Sequence, residues 1–138
     1  MTASRHSAAS DQKEEGLFTT KHKGDAAEQR ALAHLQRAGL ALVERNYRVA
    51  RGPRAHAGEV DLIMRDRDGT LVFVEVRSRA STAHGSAAES IGAAKRRAIV
   101  LAARHYLLRL GSPPPCRFDV VVIEEGRLQW LRAAFEAS

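Results

Sequence analysis

A turn, Arg67-Asp68-Gly69, separates two largely apolar segments, Glu59–Arg65 and Thr70–Arg77, and confines the middle of the chain to a β-hairpin. The stretch Asp66-Arg67-Asp68-Gly69-Thr70 suits a three-residue loop, a type I turn followed by glycine in the left-handed region. In that register residue 66 faces residue 70, and Asp61 faces Glu75. Asp61 precedes Leu62-Ile63-Met64, and Glu75 closes the run Leu71-Val72-Phe73-Val74. The two acids are then opposed on one face with Cβ atoms ~5 Å apart, and Arg77 follows Glu75 on that face. An ionised carboxylate in apolar surroundings is costly unless something pairs with it. Two arrangements meet that need. In one, Glu75 pairs with Arg77 and Asp61 is a solvated neighbour; in the other, the two acids hold a hard divalent cation, which favours carboxylate oxygens, water and phosphate. Spacing leaves both open.

The remaining elements build outward from the hairpin. A helix is expected from about Gly24-Asp25 to Ala38, with Ala31, Leu32 and Leu35 as its buried stripe and Gly39 as its stop. Glu28 shares that stripe. It can serve the same site, or it can complete a capping box with Asp25 as N-cap. Leu40–Val49 reads as a strand, followed by the basic loop Arg51-Gly52-Pro53-Arg54. Ser86–Arg109 reads as a second helix, with Ile91, Ala94, Ala98, Leu101, Ala102 and Leu108 at helical spacing; Phe118–Glu124 is a strand, and Arg127–Leu131 a short final one. Residues 1–21 are polar and aperiodic and read as a disordered tail, which leaves 22–138 as a single domain. The order is αβββαβ, an α/β class in which helices flank a mixed central sheet.

Composition narrows the function classes. Twenty-two Lys and Arg stand against 16 Asp and Glu, a net charge of +6 that suits a polyanion such as nucleic acid. No apolar run approaches the ~20 residues of a membrane helix, and the first twenty residues lack a secretory apolar block, so a cytoplasmic protein with no membrane partner is expected. A single cysteine excludes a disulfide framework, and the six histidines show no paired ligand spacing for zinc. No glycine-rich loop leads from a strand into a helix, so a nucleotide-binding fingerprint is absent.

Several blocks together carry a resemblance. Glu28 with Ala31 and Leu35, Arg45-Asn46-Tyr47-Arg48, Gly58-Glu59-Val60-Asp61-Leu62-Ile63, Phe73-Val74-Glu75-Val76-Arg77-Ser78-Arg79, Lys95 and Arg117-Phe118-Asp119-Val120-Val121 stand in the order seen in the YraN-like family. That family resembles in turn the PD-(D/E)xK nucleases, in particular Holliday-junction resolvases with a restriction-endonuclease-like core. The resemblance covers about residues 22–135. It implies a Mg²⁺- or Mn²⁺-dependent endonuclease acting on nucleic acid, DNA that is branched or otherwise structured. Asp61, Glu75 and the main-chain carbonyl of Val76 are implied as metal ligands, Glu28 as a supporting acid, and Arg77 stands where the motif's lysine would. Arginine keeps its proton, so Arg77 can supply charge but not act as a general base. The cations Arg51, Arg54, Arg79, Lys95 and Arg117 are candidate nucleic-acid contacts. A homodimer is allowed, as resolvase-like nucleases commonly pair, although no exposed apolar face requires one. Two other readings compete: a nucleic-acid-binding module that keeps the fold without cleavage, and a protein-interaction domain whose acids are structural.

Overall fold

A computed structural model describes residues 15–50, 56–80 and 90–137, without the side chains of residues 15–23 and 56–57. Helix α1 spans Glu15–Arg37, strands β1, β2 and β3 span Ala41–Ala50, His56–Arg65 and Leu71–Arg79, helix α2 spans Ala93–Leu108, and β4 and β5 span Cys116–Glu124 and Arg127–Phe135. The expected order is therefore present, with a full-length fifth strand. The strands form one sheet in the order β1-β2-β3-β4-β5, in which only β3 and β4 run parallel. That parallel pair needs a crossover, and α2 provides it.

The helices cover opposite faces. Ala27, Ala31, Leu32 and Leu35 of α1 pack with Leu62, Met64, Val72, Val74 and Val121. Ile99, Ala102, Ala103 and Tyr106 of α2 pack with Val60, Ile63, Leu71, Phe73, Phe118 and Val120. Two expectations for the helices change. α1 starts at Glu15, so residues 15–21 of the segment read as a tail are helical and Asp25 lies inside the helix, where it cannot be an N-cap. Glu28 is thus free of any capping role. The α2 stripe is also rotated, since Leu108 is exposed and Ile99, Ala103 and Tyr106 are buried. An alanine-rich helix offers several apolar stripes, and packing selects one of them.

Packing at Gly58 makes that selection. A Cβ on Gly58 would lie 2.8 Å from both Ala98 O and Ala102 N, so β2 touches the α2 backbone directly. Gly58→Ala must push α2 off the sheet. We expect it to lower stability by about 2 kcal/mol in urea unfolding; an unchanged midpoint would show that α2 can shift without cost.

The hairpin has the expected register, with Arg65–Leu71, Met64–Val72, Ile63–Phe73 and Leu62–Val74 paired. Asp66 N–H bonds Thr70 O at 2.9 Å, and Gly69 takes φ +93°. The ladder stops at Leu62–Val74. Beyond it the two strands part, at the position where sequence opposes Asp61 to Glu75.

Facing also reverses at this point. Val60 packs toward α2, but Leu62, two residues on, packs toward α1. In β1, Arg45 reaches Gln29 on α1 while Tyr47 packs toward α2. Regular strands keep residues i and i+2 on one face. Asn46, between Arg45 and Tyr47, takes φ +52°, a conformation Asn tolerates better than most residues.

Candidate metal-binding carboxylate site

The opening between β2 and β3 gathers side chains from both faces of the sheet. Asp61 turns its carboxylate toward the gap and accepts the Val76 N–H at 2.8 Å. An extended residue projects its N–H and C=O to the same edge, so the Val76 carbonyl also points into this gap. Glu75 is 3% exposed, and its Oε1 is buried without a hydrogen-bond partner. Glu28 enters from the α1 side, 3.6 Å from Arg45 Nη2 and accepting Asn46 Nδ2 at 3.4 Å. Lys95 enters from α2, bonding Glu59 and standing 3.8 Å from Glu75 Oε2.

These groups set one another's protonation. Burial, together with the charge of Asp61, pushes the Glu75 carboxyl up to about 8, against the pull of Lys95 and Arg77. Burial raises Asp61 too, opposed by the Val76 N–H and a hydrogen bond with Glu75. Both shifts run the same way, because two buried carboxyls so placed resist being ionised together. Glu28 is raised by burial and by Asp61. For Lys95, burial alone would favour the neutral amine, but the Glu59 bond and the surrounding acids outweigh it and keep the ammonium.

Among the described residues no three His, Cys, Asp or Glu side chains converge as a ready-made metal cage. Mg²⁺ does not need one, because it is commonly held by one or two carboxylates with water and phosphate completing its shell. The residues present fit such an ion. Asp61 and Glu75 supply hard oxygens, Val76 O faces the same gap, and Glu75 Oε1 lacks any other partner. A divalent charge between the two acids would relieve their repulsion when both are ionised.

The other candidate residues fall elsewhere. Arg77 is half-buried beside Glu75 and acts on it through its charge. Arg79 donates to Glu124 at 3.0 Å, its neighbour across the parallel ladder. Arg117 is held by Asp119 at 3.1 Å and Asp66 at 2.9 Å, on the sheet face that carries α1. Its part is to tie the hairpin turn to β4. Arg51 and Arg54 lie outside the described residues. Three members of the site had no role in the sequence reading: Glu59, Arg45 and Asn46. The left-handed conformation of Asn46, which turns its side chain toward Glu28, leaves no periodic signal in the sequence.

A mixed five-stranded sheet, one helix on each face and a pair of buried carboxylates where two strands part define an α/β protein with a candidate site at the sheet opening. By comparison of sequences, the chain belongs to the uncharacterised protein family UPF0102, whose model matches residues 27–123. It is 66% identical over 122 residues to a UPF0102 protein of Methylibium petroleiphilum, covering 88% of this chain and 100% of that one. A UPF0102 protein of Paracidovorax citrulli is 68% identical over 119 residues, 86% of each chain. One from an Acidovorax species is 66% identical over 120 residues, 87% of this chain and 89% of the relative. No helix among the described residues is long and apolar enough to cross a membrane.

Proposed function

We propose that this protein is a metal-dependent endonuclease that hydrolyses phosphodiester bonds in DNA of branched or otherwise structured form. The observation that carries this reading is the Asp61–Glu75 pair at the sheet opening, with Glu75 Oε1 buried and unpartnered. Two further features support it. The sequence blocks around these acids resemble those of the YraN-like and PD-(D/E)xK proteins, and the net charge of +6 suits a polyanionic substrate.

Asp61, Glu75 and the Val76 carbonyl would hold Mg²⁺ or Mn²⁺. Such an ion lowers the pKa of a bound water and offsets charge developing on the phosphate. The protein's own groups do the rest. The Val76 N–H fixes the Asp61 carboxylate, so that its orientation is set before substrate arrives. Glu28, steadied by Arg45 and Asn46, adds an acceptor on the α1 side that can orient a water. Arg77 contributes fixed positive potential and no proton transfer.

The direct test is cleavage of labelled single-stranded, duplex, flap and four-way-junction DNA with Mg²⁺ or Mn²⁺. Asp61→Asn keeps an acceptor for Val76 but removes the charge. It should cost more than about 100-fold in both metal affinity and cleavage while leaving the fold intact. Cleavage retained in Asp61→Asn would remove this site from the reaction. Salt-sensitive DNA binding without cleavage by the wild type would make it a binding module, and neither binding nor cleavage would favour a protein-interaction role.

A further inference from the structure

We propose that Lys95, from the first turn of α2 and held by Glu59, is the cation this site directs at its substrate's phosphate, a role the sequence pattern would assign to Arg77. The inference rests on the nuclease reading above and names the residue that meets the phosphate.

The geometry favours Lys95. Its Nζ bonds Glu59 and stands 3.8 Å from Glu75 Oε2, so it is already at the carboxylate pair. An ammonium has three donor hydrogens. Glu59 engages one and Glu75 stands beyond hydrogen-bond distance, which leaves donors for a phosphate oxygen, and with 27% of the side chain exposed the group remains accessible from solvent. Glu75 is not saturated by this contact, because its Oε1 has no partner. Arg77 also acts on Glu75, but less strongly than Lys95.

The placement also breaks a local rule. The first turn of a helix favours acids, since its free N–H groups carry partial positive charge. The first turn of α2 has none, and Gly92 offers no side-chain cap. Instead Lys95, Arg96 and Arg97 follow in sequence. A cation kept where the helix itself disfavours one needs compensation, and Glu59 and Glu75 supply it for Lys95. Local rules are broken in this way mostly at functional sites. One turn further along, the backbone contact of Gly58 with Ala98 and Ala102 pins α2 to the sheet, which fixes where Lys95 emerges. Glu59 is then a positioning residue: it retains Lys95 at the site whether or not Glu75 is otherwise engaged.

The proposed role is charge alone, with no proton transferred by Lys95. Its test compares wild type with Lys95→Ala, Lys95→Arg and Arg77→Ala in three assays. These are Mn²⁺ titration of the DNA-free protein, binding of four-way-junction DNA in Ca²⁺ over a range of salt, and single-turnover cleavage in Mg²⁺. Lys95→Ala should bind Mn²⁺ about 10-fold more tightly, because a like charge has left the site. Its DNA affinity should lose about 0.9 from the slope of log K against log salt, the signature of one phosphate contact. Cleavage should fall about 100-fold, as for a lost electrostatic donor, with partial recovery in Lys95→Arg. Arg77→Ala should also lower cleavage, through its charge on Glu75, but by about 10-fold at most. The reverse ranking, with Arg77→Ala crippled and Lys95→Ala near wild type, overturns the assignment. If wild type binds DNA and cuts nothing, the hydrolytic reading fails separately and the salt slope still decides. A loss of about 0.9 upholds Lys95 on phosphate, and an unchanged slope overturns it. Tight Mn²⁺ binding by Lys95→Ala shows at the same time that the variant is folded.

Discussion

Without added metal, this protein should lose stability as pH rises from about 5 to about 8, and Glu75→Gln should remove most of that slope. The sign follows from proton counts. The Glu75 carboxyl has an ordinary value of 4.5 and is pushed up to about 8 in the fold. Between those values the folded state holds a proton that the unfolded chain releases, so stability falls with rising pH. Below 4.5 both states are protonated and the difference vanishes. The raised Asp61 adds to the effect in the same direction. Each proton so held is worth about 1.4 kcal/mol per pH unit, and for a pair that shares the effect the loss across the window is on the order of 3 kcal/mol. The groups facing Glu75 are Asp61 on β2, Lys95 on α2 and Arg77 on its own strand, and the two cations keep the loss from being larger. Urea midpoints at pH 5, 6.5 and 8 for wild type and Glu75→Gln measure it. The variant should match wild type at pH 5 and exceed it at pH 8. Mg²⁺ should oppose the slope in wild type, since its ligands must be ionised, and should have little effect on Glu75→Gln. A wild-type midpoint that is flat or rising over this range would mean that Glu75 is ionised throughout.

The second large effect is expected far from the carboxylate pair. Asp119 is fully buried and accepts Arg117 Nε at 3.1 Å, Trp130 Nε1 at 2.9 Å and the Ala133 N–H at 2.9 Å. It lies at the irregularity in the β4–β5 ladder, where Ala133 takes φ +50°. Arg117 Nη2 is already buried without a partner. Asp119→Ala would leave the guanidinium with Asp66 as its acid and strand two more donors. Removing one partner of a buried pair typically costs 3–5 kcal/mol. Because Asp66 remains, we expect a loss near the lower end, about 3 kcal/mol, by guanidinium unfolding at pH 7. Asp119→Asn keeps an acceptor and should lose about half as much. Mn²⁺ affinity of the folded protein should be unchanged in both. A loss below about 1 kcal/mol would mean that the cost of burying Asp119 cancels its bonds.

How much of this was legible beforehand differs from element to element. The hairpin was legible because its turn residues and its apolar runs agree: Gly69 permits the left-handed conformation, and the register followed from the loop length. The acids Asp61 and Glu75 stood out for the same reason, as charges inside runs that should be buried. Their geometry was only partly legible. Squarely opposed carboxylates repel, and the strands part instead, so that Asp61 takes a backbone N–H. Glu28 was visible as a charge on an apolar stripe, but the helix start was not, because residues 15–21 have no apolar periodicity to announce it. Lys95 was visible as a candidate nucleic-acid contact, but nothing in its spacing set it beside Glu75. What brings it to Glu75 is the rotation of α2 about its axis, which the backbone contact at Gly58 decides and no single-helix pattern contains. Arg117 looked equally available to solvent; Asp119 lies two residues on along the same strand, but its burial and the arrival of Asp66 depend on how β4 is paired.

The reversal of facing at Asn46 and Asp61 has a mechanical consequence. Tyr47 and Val60 anchor the α2 side of the sheet on one flank of the reversal, while Arg45 and Leu62 anchor the α1 side on the other. Flattening the strands there would transfer large side chains from one core to the other. The carboxylates therefore sit at a crease locked by two hydrophobic layers, and their spacing cannot relax without opening both. Any change in the width of the gap would have to be passed on to the packing of both helices.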